Sequence, residues 1–185
     1  MSKINDVSDL RGPIAELNDQ LLGQSGAERL NSLKLWLKGV ATSLLRQVST
    51  FHAKATTFTA GTKFVFGTNA DGVNFTYIGE QFQKLFGDKV EDVPAADLVI
   101  SNLEQAAFDP EIMAELGPDR RVVALGHFYQ VLKANKSGWF LAYVVGNDGN
   151  IWAVGADWGG GGWRVNVYSV GSPLEWSAGF QVVSR

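Results

Sequence analysis

The residue order predicts an α+β protein: a helical arm with one long amphipathic helix, followed by a domain with an antiparallel β meander and short helices. Three observations lead there. Leu30, Leu33, Leu37, Val40, Leu44, Val48 and Phe51 recur three or four residues apart, as one seam of a helix does. Residues 139–184 are β-prone runs separated by Gly146-Asn147-Asp148-Gly149, a glycine-rich loop and Pro173. Between these regions, Asp109-Pro110-Glu111 and Gly117 carry the start and stop signals of a short helix. The 185 residues divide on this reading into an arm, 1–55, and a domain, 56–185.

Within the arm, Pro13 opens a short helix and Gly23 closes it. Ser25-Gly26-Ala27-Glu28 then reads as a capping box for the long helix. Leu35, Trp36 and Leu45 lie beside its seam, so the helix has more than one neighbour. One candidate neighbour is the chain's own domain, and the other is the same helix of a second subunit. The breadth of the apolar stripe, with no buried Asn or Lys to specify a dimer, predicts a homo-oligomer, and among these a parallel trimer.

The domain follows element by element. Residues 56–62 form a polar connector, and residues 62–66 and 73–78 are two strands around a turn-rich loop. In the second strand Val73, Phe75 and Tyr77 are expected to share a face. Short helices are expected over 79–87, over 109–116 and along the stripe Leu125, Phe128, Tyr129 and Leu132. Trp139–Val145, Asn150–Ala156, Trp163–Val170 and Phe180–Ser184 are the predicted strands of the meander, with residues 157–162 as a loop.

Composition excludes several functions. The chain has no cysteine, which removes disulfides, thiolate metal sites and a cysteine nucleophile. Two histidines, His52 and His127, exclude a three-histidine metal site within one chain. Net charge is −3, unlike a nucleic-acid binder. Charge is uneven: residues 61–120 hold 4 basic and 11 acidic groups, while the flanking thirds are each net positive. No apolar run approaches a membrane span, and residues 1–12 contain no leader-like apolar stretch. No cofactor, metal, nucleic acid or membrane insertion is expected.

No reaction signature stands out. Gly159-Gly160-Gly161-Gly162 lacks the Lys-Ser/Thr and the helix that a phosphate loop needs. Asn147-Asp148-Gly149-Asn150 lacks the terminal glutamate of a calcium loop. The acidic residues Glu80, Asp88, Glu104 and Glu111 offer the raw material for a glycoside hydrolase, but they sit in charged runs and near helix ends. Trp158, Trp163 and Trp176, with Asp157 and Arg164 as polar partners, form the candidate ligand-binding set. Their rings suit either stacking on sugars or packing in the core.

The front of the chain resembles the N-terminal anchor regions of tailed-phage fibre and appendage proteins. The resemblance rests on Met1-Ser2-Lys3-Ile4, Leu21-Leu22-Gly23-Gln24-Ser25-Gly26, Leu33-Lys34-Leu35-Trp36-Leu37 and the connector Phe58-Thr59-Ala60-Gly61-Thr62, about a third of the chain. It implies a non-enzymatic virion component (a fibre, decoration or connector subunit) assembled in a bacterial cytoplasm and contacting other virion proteins. The end of the chain is similar to uncharacterised bacterial and prophage proteins with a Trp-rich β end, on Asp157-Trp158, Gly162-Trp163-Arg164-Val165, Ser172-Pro173, Glu175-Trp176 and Ser184-Arg185. That second likeness implies no activity. Two alternatives to a purely structural role stand beside it: a module binding host-surface glycans through the loop tryptophans, and a hydrolase using the acidic residues.

Overall fold

Residues 45–53 pair as a strand instead of coiling. A computed structural model describes residues 43–185 of the chain. In it 45% of the residues lie in strands and 20% in helices, so the expected α+β arrangement gives way to a mostly β fold. The strands are β1 (Leu45–Ala53), β2 (Thr56–Thr59), β3 (Gly67–Thr68), β4 (Asn74–Ile78), β5 (Val90–Val93), β6 (Ala96–Leu103), β7 (Ala107–Phe108), β8 (Trp139–Val145), β9 (Ile151–Gly159), β10 (Gly162–Ser169), β11 (Glu175–Trp176) and β12 (Gln181–Ser184). The helices are α1 (Ala60–Lys63), α2 (Glu80–Phe86), α3 (Asp109–Leu116) and α4 (Leu125–Ala134).

Eight strands form one mixed sheet in the order β1-β6-β12-β8-β9-β10-β4-β3. Only β8-β9-β10 is the antiparallel meander that the turn signals predict. β12 inserts parallel to β8 and antiparallel to β6, and β4 joins β10 in parallel. Two small ribbons, β2-β5 and β7-β11, lie apart from the sheet.

The long helix of the sequence reading is overturned where it can be tested. Leu45–Ala53 runs antiparallel to β6, with a register shift between Gln47 and Ser49. Such a bulge inserts one residue and reverses the side-chain alternation beyond it. Leu45 packs on one face of the sheet and Phe51 on the other, while Val48 at the bulge is 40% exposed. Leu44, Val48 and Phe51 therefore share no face despite their helix-like spacing: Leu44 packs against the smaller core, Phe51 against the larger, and Val48 is exposed. Leu44 and Leu45 are fixed by Glu115, which accepts both backbone N–H groups at 2.9 and 3.0 Å. Leu30, Leu33, Leu37 and Val40 lie outside the described residues, as does the helix expected from Pro13 to Gly23.

Other differences are local. Residues 62–66 are no strand: one turn of helix, α1, covers Ala60–Lys63. The connector at 56–59 is β2, paired with β5. The loop expected over 157–162 shrinks to Gly160-Gly161, whose φ values of 63° and 82° suit glycine, and β9 and β10 pair on either side of it. The helices α2, α3 and α4 lie where the spacing predicts them.

The sheet separates two cores. The larger one contains Phe58, Phe64, Phe75, Phe82, Phe86, Phe128, Phe140 and Trp163. Its rings meet at tilted and edge-on angles, as between Phe64 and Phe82 at 4.8 Å and Phe64 and Tyr129 at 5.5 Å. Helix α4 roofs it, burying Leu125, Phe128, Tyr129, Val131 and Leu132. His127 is fully buried there, with Nε2 at 2.8 Å from the Pro94 carbonyl. The smaller core, on the opposite face, joins α3 to Leu141, Tyr143, Ala153, Val182 and Trp176.

Asp109 pins that second cover to the sheet. It is completely buried and accepts from the Tyr143 hydroxyl at 2.8 Å and from Trp176 Nε1 at 2.7 Å. Burial raises its pKa against the lowering effect of both hydrogen bonds. Trp176 lies over Gly155, where a Cβ would approach its ring to 3.1 Å.

Candidate functional site

Each strand of the meander sends alternate side chains to the larger and the smaller core. This parity divides the five residues expected at a ligand. Trp163 points into the larger core with no exposed surface, and its Nε1 donates to the Leu132 carbonyl at 3.1 Å. Trp158 packs edge-on against it, 5.2 Å between ring centroids. Trp176 is buried under the second cover, against Tyr168 and Phe180. Trp163 and Trp176 are thus core residues with no ring face open for stacking, while Trp158 is half-buried against the larger core.

Asp157 and Arg164 go the other way. They are opposite partners on β9 and β10 and face the smaller-core side. Arg164 Nε donates to Asp157 Oδ2 at 2.7 Å, and Nη2 reaches the same oxygen. The guanidinium lies across Gly159, which has no side chain to displace it. More than half of the Arg164 side chain is exposed, against about a quarter of that of Asp157.

The register adds two aromatic residues to this pair. Trp139 of β8 stands opposite Asp157, and Tyr77 of β4 stands beside Arg164. The result is one row across four strands: Trp139, Asp157, Arg164, Tyr77. At about 4.8 Å per strand, its ends are roughly 14 Å apart. Trp139 is 51% exposed and Tyr77 48% exposed. Phe180 stacks beside Trp139, with centroids 6.0 Å apart and planes inclined by 24°.

Tyr168 borders the row. Burial raises its hydroxyl pKa, and the charge of Asp157 and the neighbouring Tyr77 add to the rise. Asn166 shares the same face, half-buried on the next register step. The site therefore offers two partly open rings, one ion pair with free edges, a phenol and a carboxamide, all on rigid strands. It holds hydrogen-bond donors and acceptors but no activated nucleophile.

Trp139 and Tyr77 are the residues that sequence reasoning misses. The turn at 146–149 centres the β8-β9 hairpin, and that alone would have placed Trp139 opposite Asp157. Tyr77 is hidden by a register shift: Phe75 pairs with Trp163 but Tyr77 with Arg164, so Thr76 is the extra residue. Phe75 is buried while Tyr77 faces outward, which corrects the single face expected for Val73, Phe75 and Tyr77.

Two of the four acidic candidates have partners in the fold, and Glu80 and Asp88 are exposed. Glu104 pairs with Arg46 at 2.9 Å, and Glu111 accepts from the Phe108 N–H at the start of α3. Glu80 sits in the first turn of α2. Among the described residues no group of three or more His, Asp or Glu is placed to hold a metal ion, and no helix is long and apolar enough to cross a membrane. Comparison of the chain with protein-family models, with curated proteins and with solved structures finds no match.

Proposed function

We propose that this protein is a non-catalytic saccharide-binding component of a phage appendage, and that the row Trp139, Asp157, Arg164 and Tyr77 is its contact surface. The observation that carries the reading is the placement of two half-exposed rings at the ends of the ion pair between exposed Arg164 and half-buried Asp157 on one sheet face. An aromatic ring stacks on the C–H face of a pyranose, and a guanidinium and a carboxylate satisfy its hydroxyls. Rigid strands keep the ordering cost of binding low. The row is long enough for a short oligosaccharide.

The appendage part of the proposal rests on the resemblance of segments 1–4, 21–26 and 33–37 and of the connector 58–62 to phage anchor regions. Self-association through Leu30, Leu33, Leu37 and Val40 goes with it. Light scattering of the full chain should give an oligomer, and Leu37→Asp should lower the mass, because a carboxylate on an apolar seam is buried without a partner. An unchanged mass would remove the seam from the proposal.

The decisive experiment is a glycan array probed with the full chain and with Trp139→Ala/Tyr77→Ala. The expected result is binding to a restricted set of glycans, weakened about tenfold or more in the double variant. Silence of the full chain, or identical profiles for both proteins, would defeat the reading.

A further inference from the structure

A second candidate site lies on the larger-core side of the sheet, away from the row. A cavity of about 680 Å³ opens between the end of β1, the segment leading into β2, and α4. Cavities that hold small molecules have similar volumes. Phe51, Phe58, Tyr129 and Ala134 supply apolar wall, and Lys54, Lys63 and Lys133 supply cations.

The wall is built. Gln130 clamps residue 54 from both sides: its Oε1 accepts from the Lys54 backbone N–H at 2.9 Å, and its Nε2 donates to the Lys54 carbonyl at 2.9 Å. Asp71 holds the far side. Its Oδ2 accepts from Lys63 Nζ at 2.7 Å and from the Tyr129 hydroxyl at 2.8 Å, and Lys133 Nζ stands 3.5 Å from Oδ1. Asn69 donates to the Tyr129 oxygen at 2.8 Å and to the Lys63 carbonyl at 2.6 Å. These bonds fix the cavity before any ligand arrives.

The charge count is unbalanced. Three lysines face one carboxylate, Asp71, which is already shared by two of them. Lys54 forms no ion pair with any described residue. His52 also lines the mouth, and its Nδ1 is 2.5 Å from Asp97. In a chain of net charge −3 this is a local concentration of positive charge over an apolar floor.

We propose that this cavity binds a small amphiphilic organic anion, with its aliphatic or aromatic body on Phe51, Phe58 and Tyr129 and its carboxylate or phosphate between Lys54 and Lys133. The apolar body supplies the burial and the lysines select the head group. Lys63 remains with Asp71 and shapes the floor. This site is independent of the saccharide row, and neither reading needs the other.

Isothermal titration of the full chain with octanoate, phenyl phosphate and the neutral octanol tests it. One saturable site for at least one of the two anions is expected, with octanol about tenfold weaker. Lys54→Gln/Lys133→Gln should bring the affinity for that anion down to that of octanol. Ala134→Trp, at an exposed position on the cavity wall, should abolish binding while the melting temperature stays unchanged. Trp139→Ala should leave it intact. Octanol binding as tightly as the anions, no saturable binding of either anion, or full binding by Ala134→Trp would each overturn the proposal.

Discussion

The two faces of the meander carry similar residues to opposite ends. On one face Trp158 and Trp163 sit beneath α4 in a core of phenylalanines. On the other, Trp139 and Tyr77 stay about half exposed, while among the described residues α3, Leu44 and the segment around Trp176 cover the smaller core. The thick cover turns aromatic surface into stability. The thin cover leaves it open, next to an ion pair. Trp163 and Arg164 are adjacent in sequence and belong to different faces, so one step along a strand separates packing from recognition.

Breaking the thick face should have the largest effect. Trp163→Ala removes a fully buried indole and its hydrogen bond to α4, and should cost about 3–5 kcal/mol in urea unfolding. On the thin face, Asp109→Ala leaves the Tyr143 hydroxyl and Trp176 Nε1 without an acceptor, for a loss of about 2 kcal/mol. Gly155→Ala pushes a methyl group toward Trp176 and should cost about 1 kcal/mol, together with a change in near-ultraviolet dichroism. Trp139→Ala sits at the small end, within about 0.5 kcal/mol of the parent. Equal losses for Trp163→Ala and Trp139→Ala would abolish the distinction between the faces.

Acid sharpens the same comparison, because a carboxylate on each side shifts the opposite way. The Lys63 ammonium, helped by the Tyr129 hydroxyl, holds Asp71 at about 2, below its ordinary 3.8. The stability it contributes is present above 3.8 and is lost as the pH falls through about 2. Asp109 is raised, so its contribution is full below 3.8 and is lost as the pH rises through its folded value. Unfolding measured across this range should therefore show Asp71→Asn converging on the parent toward low pH. Asp109→Asn should remove a loss that the parent suffers as the pH rises. Parallel curves for Asp71→Asn and the parent would show that the Lys63 contact contributes no stability.

What the sequence reveals follows how local each signal is. The hairpins at 146–149 and 160–161 and the helices α2, α3 and α4 are written in neighbouring residues, and all are legible. β1 is not, because the bulge at Val48 breaks the two-residue alternation that marks a strand. β6 carries no predicted element: Ala96–Leu103 becomes a strand by pairing with β1 and β12, both distant in sequence. At the site, Asp157 and Arg164 are within one hairpin, and its register pairs them. Trp139 needs the register of a second hairpin, and Tyr77 needs a bulge and a parallel pairing across more than eighty residues. The expected tryptophans fail for the same reason, since residue type alone does not give strand parity.

The position of β12 has a consequence for folding. It is the last strand of the sheet in chain order, yet it lies between β6 and β8 and joins the β1-β6 pair to the β8-β9-β10-β4-β3 group. In chain order residues 181–184 follow every other strand of the sheet, so the sheet closes only when they pair. Until then the facing edges of β6 and β8 are unpaired, and both are strands with buried side chains on either face. Such edges invite pairing with other chains. Closing them brings together residues far apart in sequence, which is the slow class of folding step. The folding chain therefore passes through a stage in which its two half-sheets are sticky and separate, and refolding at high protein concentration should favour aggregates over the closed sheet.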